Sequence, residues 1–279
     1  MRKVYLAFIT IVTIVCILIG SYRNLVHSRS EYAESHPAEW EESEYEPAAE
    51  EHTWEFDEAI SAVDVDLEVG NVSILEGTGF IEADQHDFSS YEISDGVLKI
   101  KQNPSYKNHW ENTEPDPVVT DNMPHIWIYL PETDLVESVS VDLKAGAFDM
   151  SSMHPDNISI NCDLGDIRLE SVDFIHGQIF AKMGNITLES ISFTDLTVDE
   201  NMGNIYIYSR SELSGYEKNL SVKLGVLNMN GAHIGRTVSS EGSDGKLSVA
   251  NEMGDVDVSW DMYDKTYTSF SLRKERFVL

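Results

Sequence analysis

From Val139 to Ser209 apolar and polar side chains alternate one by one, but the alternation changes phase at regular places. In rows of nineteen residues counted from Val139, odd positions are apolar as far as the seventh and even positions are apolar at ten and twelve. Odd positions return at fifteen and seventeen in the middle rows, as Val172 and Phe174 and then Ile191 and Phe193. A period of two marks strands with one buried face, and each parity change needs a corner that keeps the next apolar residue inward. A third change falls where one row meets the next, so the pattern predicts a coil of roughly triangular cross-section.

The rows begin at Val139, Ile158, Gly177 and Leu196, and their columns align. The third column reads Val141, Ile160, Ile179, Val198; the tenth Phe148, Ile167, Ile186, Ile205; the twelfth Met150, Leu169, Leu188, Ile207. Gly146, Gly165, Gly184 and Gly203 stand nineteen apart, and a serine column holds Ser152, Ser171, Ser190 and Ser209. A fixed period of this kind is the mark of stacked repeats, with coils about 4.8 Å apart forming parallel ladders around an apolar interior. Glycine at the first corner takes positive φ without steric cost, and the Asp166, Asn185 and Asn204 that follow suit a turn and a stacked polar ladder. Looser copies surround Gly70, Gly225 and Gly254. A sandwich of antiparallel hairpins would also give regular turns, but a constant nineteen with synchronous columns favours the stack. The expected fold is all-β, a parallel β-solenoid of three-sided coils, with Ile186 inward and Thr187 outward.

The chain before these repeats has a different texture. Met1-Arg2-Lys3 precedes a mostly apolar run from Val4 to Gly20, close to the length of a membrane-spanning helix. A cleaved secretory signal is the competing reading. No Ala-x-Ala-like site follows, and Thr13-Ile14-Val15 before Cys16 lacks the small residue that lipoprotein processing needs. The expectation is one retained N-terminal transmembrane helix in residues 1–22, an acidic disordered stalk over 23–58, and a β-strand-repeat ectodomain over 59–279. Arg23 and Arg29 nearly balance Arg2 and Lys3; the short start and signal-like order of the segment orient the C-terminal bulk outside the cytoplasm, in a single-pass protein of the cell membrane. Within the stalk, twelve of the 28 residues from Glu31 to Glu58 are Asp or Glu, which repel one another and bury little.

Charge narrows the function. With 49 acidic and 19 basic residues the formal net charge is −30, which argues against a nucleic-acid partner, because phosphate binding depends on basic groups. Cys16 and Cys162 do not belong to a metal-type cluster, and the nine histidines are scattered singly. The Gly-Asp and Gly-Asn corners lack the denser pattern of calcium-binding β-helices. No metal or cofactor is expected. No two acids stand out as a hydrolytic pair, and the serine column lacks a matching His and Asp, so the expectation is a protein that is not an enzyme. The sequons at Asn71, Asn157, Asn185 and Asn219 matter only in a eukaryotic secretory route.

The phrase "HIWIYLPE" followed by "LVESVSVDLKAGAFDM" and successive Gly-Asp/Asn-Ile-x-Leu units, with "ISDGVLKI" earlier, resembles the bacterial adhesin-like family of β-strand-repeat proteins, a domain of unknown function that includes LiaG-like membrane proteins. The resemblance covers roughly 55–279. It implies an extracytoplasmic β-solenoid behind a membrane segment, sometimes linked to cell-envelope stress systems, and offers no catalytic residues to carry over.

One irregular segment, 101–124, interrupts the strands with prolines and brings Tyr106, His109 and Trp110 near Lys107. Long insertions with aromatic residues favour recognition, so these four residues are the candidate partner-binding loop. The leading functional expectation is a membrane-anchored, non-enzymatic protein for cell-surface interaction or envelope-stress-related sensing or scaffolding, with an envelope protein or polymer as partner. The alternatives are a polysaccharide-active enzyme on a solenoid and a structural module that assembles end to end. Open terminal coils need closing, and the cationic "YTSFSLRKERFVL" at the C-terminus, with Arg273, Lys274 and Arg276, is expected to close one of them.

Overall fold

The computed structural model describes residues 52–84, 88–104, 123–131 and 135–260. The expected N-terminal helix, the candidate loop residues Tyr106, Lys107, His109 and Trp110, and the C-terminal segment all lie outside them. Among the described residues there are twenty strands and no helix long and apolar enough to cross a membrane.

Four strands run along the first side of the central coils: β8 (Ser138–Ala145), β10 (Asn157–Leu164), β12 (Asp173–Met183) and the last half of β13 (Ile186–Met202). They pair in parallel with a shift of nineteen residues, Val141 to Ile160 to Ile179 to Val198. The second side is built from β9 (Phe148–Ser151), β11 (Ile167–Glu170), the first residues of β13 and β14 (Ile205–Ser209), in the register Phe148, Ile167, Ile186, Ile205. A short third side pairs Asp173 with Ser192 and Phe174 with Phe193, and these two phenylalanines stack with ring centroids 5.9 Å apart. Every residue of the third, tenth and twelfth columns is buried, forming one continuous core.

The corners explain the two invariant residue types. A Cβ on Gly184 would lie 2.0 Å from the carbonyl oxygen of Gly165, and its φ is +147°. Only a residue without a side chain permits this approach of successive coils. The second corner is serine: Ser152, Ser171 and Ser190 have φ of 56°, 56° and 55°. The first corner also swings the seventh position outward. Leu164, Met183 and Met202 continue the inward parity of their strands, yet all three are exposed.

Strand directions are mixed, which corrects the expectation of a wholly parallel stack. Before β8 come β1 (His52–Glu55), β2 (Ala62–Val69), β3 (Asn71–Glu76), β4 (Phe80–Ala83), β5 (Ser89–Ser94), β6 (Val97–Gln102) and β7 (His125–Leu130). β2 and β3 extend the parallel ladders of β8 and β9, and β6 and β7 stack outside them in parallel. β5 then pairs antiparallel with β6, and β4 and β1 add antiparallel beyond β7. Folded structure therefore begins within the stretch expected as stalk, and Phe56 is part of the core.

At the other end lie β15 (Glu217–Leu224), β16 (Leu227–Met229), β17 (Ala232–Gly235), β18 (Thr237–Ser240), β19 (Lys246–Met253) and β20 (Val256–Trp260). β19 and β20, later in the chain, lie between the coil of β13 and β14 and the coil of β15 and β16. The antiparallel strands β17 and β18 hold the edge where the C-terminal segment was expected to act. Hairpin closure at both ends replaces open parallel edges with short antiparallel ones.

The fifth column carries the main polar inclusion in the core. It runs Leu67, Leu143, Cys162, Ala181, Glu200, Asn251 and Val222. Glu200 is 2% exposed and neither carboxyl oxygen has a hydrogen-bond partner. Beside it, Asn251 donates Nδ2–H to the Gly203 carbonyl at 2.9 Å, and its Oδ1 is unsatisfied. Burial, with a smaller push from Asp166, raises the Glu200 pKa to about 7.

Candidate functional site

Residues 105–122, which include the sequence-predicted loop residues, lie outside the described residues; the described chain departs from β6 at Pro104 and returns at Met123, before β7. The register Asp66–Lys101 and Asn71–His125 puts that departure beside Gly70, where the central coils have their glycine corner. The described surface that the corner organises has three parallel rows.

The first row is an amide ladder. Asn185 donates from its backbone N and its Nδ2 to Asp166 Oδ1 at 2.7 and 3.2 Å, and Asn204 does the same to Asn185 Oδ1 at 3.2 and 3.3 Å. Asp255 N–H donates to Asn204 Oδ1 at 2.9 Å, Val226 N–H to Asp255 Oδ1 at 2.9 Å, and Ala147 N–H to Asn71 Oδ1 at 2.9 Å. This is the polar ladder expected at the positions after glycine. Ala147 has no carboxamide, so a gap opens beside it.

The gap forms one end of a shallow depression of about 580 Å³, lined by Asp149, Asp166, Arg168, Asn185, Thr187 and Tyr206 among others. Burial raises the Asp149 pKa, Arg168 draws it down and Asp166 pushes it up. Arg168 is held at 2.9 Å from Glu170 and 3.5 Å from Glu189. Farther along the same outer face His125 and Trp127 stack at 3.9 Å, and Phe80 and Tyr129 at 4.2 Å. Burial lowers the His125 pKa to about 4, so the ring is neutral near pH 7 and shares a 2.8 Å hydrogen bond with the Ser73 hydroxyl. Carboxylates, a guanidinium, amides and an exposed tyrosine can together hydrogen-bond and stack on a polar ligand.

On the other side of the glycine corner runs an exposed apolar row: Leu164, Met183, Met202, Met253 and Leu224, one per coil in spatial order. They are between 41% and 55% exposed. Next to it lies a row of charges with ion pairs Lys144–Glu68 at 2.8 Å, Lys182–Asp163 at 2.6 Å and Lys223–Glu252 at 3.2 Å. Sequence reasoning turned the seventh column inward by parity and so missed this row. The signal that could have found it is the unbranched Met183, Met202 and Met253, each directly before a corner glycine.

Among the described residues no group of three or more His, Cys, Asp or Glu is placed to hold a metal ion. Cys162 is buried, and burial raises its thiol pKa to about 11, so it is not an activated nucleophile.

Comparison with curated proteins finds no match. Among solved structures, the chain is similar to a candidate cell adhesion protein from Clostridium sporogenes ATCC 15579, with 14% identity over 76% of this chain and 99% of that one and a TM-score of 0.41. A candidate adhesin from Bacteroides fragilis NCTC 9343 shares 12% identity over 75% and 95% of the two chains, with a TM-score of 0.36. A candidate lipid binding protein from Parabacteroides distasonis ATCC 8503 shares 11% over 75% and 94%, with a TM-score of 0.27. Residues 60–270 match the family model described as Toastrack DUF4097, which takes in nearly all the described strands, and the chain therefore belongs to the Toastrack DUF4097 family.

Proposed function

We propose that this is a non-enzymatic surface-interaction protein, held by one N-terminal membrane span with its β-repeat body outside the cytoplasm, and that its central coils act as a β-solenoid presenting fixed rows of side chains. The observation that carries this reading is the amide ladder from Asp166 to Val226, which locks the outward side chains of successive coils into register. Such a surface suits recognition of an extended protein or polymer of the envelope. Family membership and the apolar run from Val4 to Gly20 support the location. The segment carrying Tyr106, Lys107, His109 and Trp110, which the sequence inserts between β6 and β7, is the proposed partner contact, with envelope-stress sensing or scaffolding as the outcome of binding.

The test is surface labelling of intact cells with a membrane-impermeant amine reagent, followed by pull-down from intact envelope with the whole chain and with a chain lacking 105–122. Labelling without lysis and a partner lost on deletion are expected. Labelling only after lysis would refute the location, and an undiminished partner would refute the loop.

A second reading rests on Asp149 and Asp166 lining one depression, the arrangement that hydrolysis of a polysaccharide would use. Release of reducing ends by the whole chain, abolished in Asp149→Asn, would favour it over simple binding.

A further inference from the structure

We infer that the exposed apolar row is a self-association surface, on which a second copy of the chain packs antiparallel about a two-fold axis through Met202. The row's five exposed members read Leu164, Met183, Met202, Met253, Leu224 along the stack, the same in both directions; beyond Leu164 the ladder continues with the half-buried Ala145 and Val69. Its five rungs span about 19 Å at about 4.8 Å per coil. The axis places Leu164 against Leu224 of the second copy, Met183 against Met253, and Met202 against its own equivalent. Methionine is unbranched and polarizable, and adapts to such a contact.

The adjoining charges decide who the occupant is. At the same five rungs they read Asp163, Lys182, Asn201, Glu252 and Lys223. Reversing that order turns every charge into its opposite, with a neutral amide at the centre. The two-fold thus sets Asp163 opposite Lys223, Lys182 opposite Glu252, and Asn201 opposite Asn201, where each amide donates and accepts. A parallel arrangement would instead lay this row along the amide ladder of the other copy, opposing Asp163 to Asp166 and Glu252 to Asp255. That places like charges together at two rungs and opposite charges at none.

The overall charge strengthens the choice. Two bodies of formal charge −30 repel, and contact is least opposed where the local charge sums to zero, as it does over these five rungs. An isologous contact needs one patch complementary to itself, and this row has that property in both its apolar and its ionic members. A ridge of this length is at the small end of specific interfaces, so the pairing is weak and reversible and is favoured by crowding on a surface.

Cysteine cross-linking of the full chain in mild detergent, with Cys16→Ser and Cys162→Ala in the background, tests the geometry. Met202→Cys is expected to form a disulfide-linked dimer on mild oxidation. Met183→Cys and Met253→Cys each cross-link at least tenfold less alone, but cross-link when mixed. Lys182→Glu should reduce Met202→Cys cross-linking about tenfold, and the swap Lys182→Glu/Glu252→Lys should restore it. Met183, Met202, Met253, Lys182 and Glu252 are all exposed, and an unchanged thermal melt checks the fold, including the replacement of the buried Cys162. Failure of Met202→Cys to cross-link, equal self-linking of Met183→Cys, or no restoration by the swap would each overturn the proposal. So would protection of the row by phosphatidylglycerol vesicles in a chain that stays monomeric.

Discussion

Glu200→Gln tests the most costly feature of the interior. The carboxyl has a pKa of about 7 in the folded chain against 4.5 for the ordinary side chain. The unfolded state therefore releases its proton first as pH rises. Below about pH 4.5 both states hold the proton and the group costs nothing relative to its neutral form. Between about 4.5 and 7 stability falls, because the folded state binds more protons than the unfolded one, and above 7 the loss levels off. A difference of about 2.5 pKa units at about 1.4 kcal/mol each gives a loss of about 3 kcal/mol, to order of magnitude. Glutamine has nearly the same shape, stays neutral at every pH, and can donate an N–H to the unsatisfied Asn251 Oδ1. The variant should match the parent at pH 4.5 and exceed it by about 3 kcal/mol at pH 8. Urea melts of both chains across that range give the difference directly, and the background of other titrating groups cancels. Parallel curves, or a variant less stable at pH 8, would refute the reasoning.

Ile186→Asp should cost about 4 kcal/mol or more, because it puts a charge into a fully buried column, whereas Thr187→Asp should change stability by less than about 1 kcal/mol; equal losses in urea melts would contradict the register. Gly184→Ala should destabilise by about 3 kcal/mol or more, since its Cβ meets the Gly165 carbonyl oxygen in a conformation unfavourable to alanine; a thermal shift of less than a degree would contradict the close approach. Asn185→Ala removes the acceptor for two Asn204 donors and should cost about 1–2 kcal/mol, read as faster amide exchange at Asn204; unchanged exchange would count against the ladder.

The central coils were legible because glycine, the tenth column and the twelfth column repeat together, and only stacked strands in register make such columns meet. Ladder chemistry was legible for a related reason: Asp166, Asn185 and Asn204 recur at a position where side chain and backbone of the next coil come within bonding distance. Parity failed at Leu164, Met183 and Met202, because alternation holds only while the strand is straight and the corner begins one residue before the glycine. The end hairpins left a local signal that the repeat obscured. Asp95-Gly96 and Asn230-Gly231 have φ of 54° and 77°, and 47° and 73°, the positive pair that a tight antiparallel turn requires. Glu200 follows Leu143, Cys162 and Ala181 in its column, with nothing in its local sequence to distinguish it from an outward glutamate. The candidate loop residues and the expected membrane segment lie outside the described residues.

The interleaving of the coils near the C-terminal side constrains the order in which the chain can fold. Residues 217–229 emerge from the ribosome before 246–260, yet their parallel partners are β19 and β20, not the coil made just before them. The growing chain cannot simply add one turn after another. The stretch from β15 to β18 must wait beside the stack until β19 and β20 enter the gap as a keystone, pairing on both sides at once. A nascent chain halted before Lys246 would expose the parallel edge of β13 and β14 with its ladder unfilled, and such an edge accepts a strand from another molecule. Slow or interrupted synthesis of this one coil is thus the step at which the protein is most open to exchange of strands between chains.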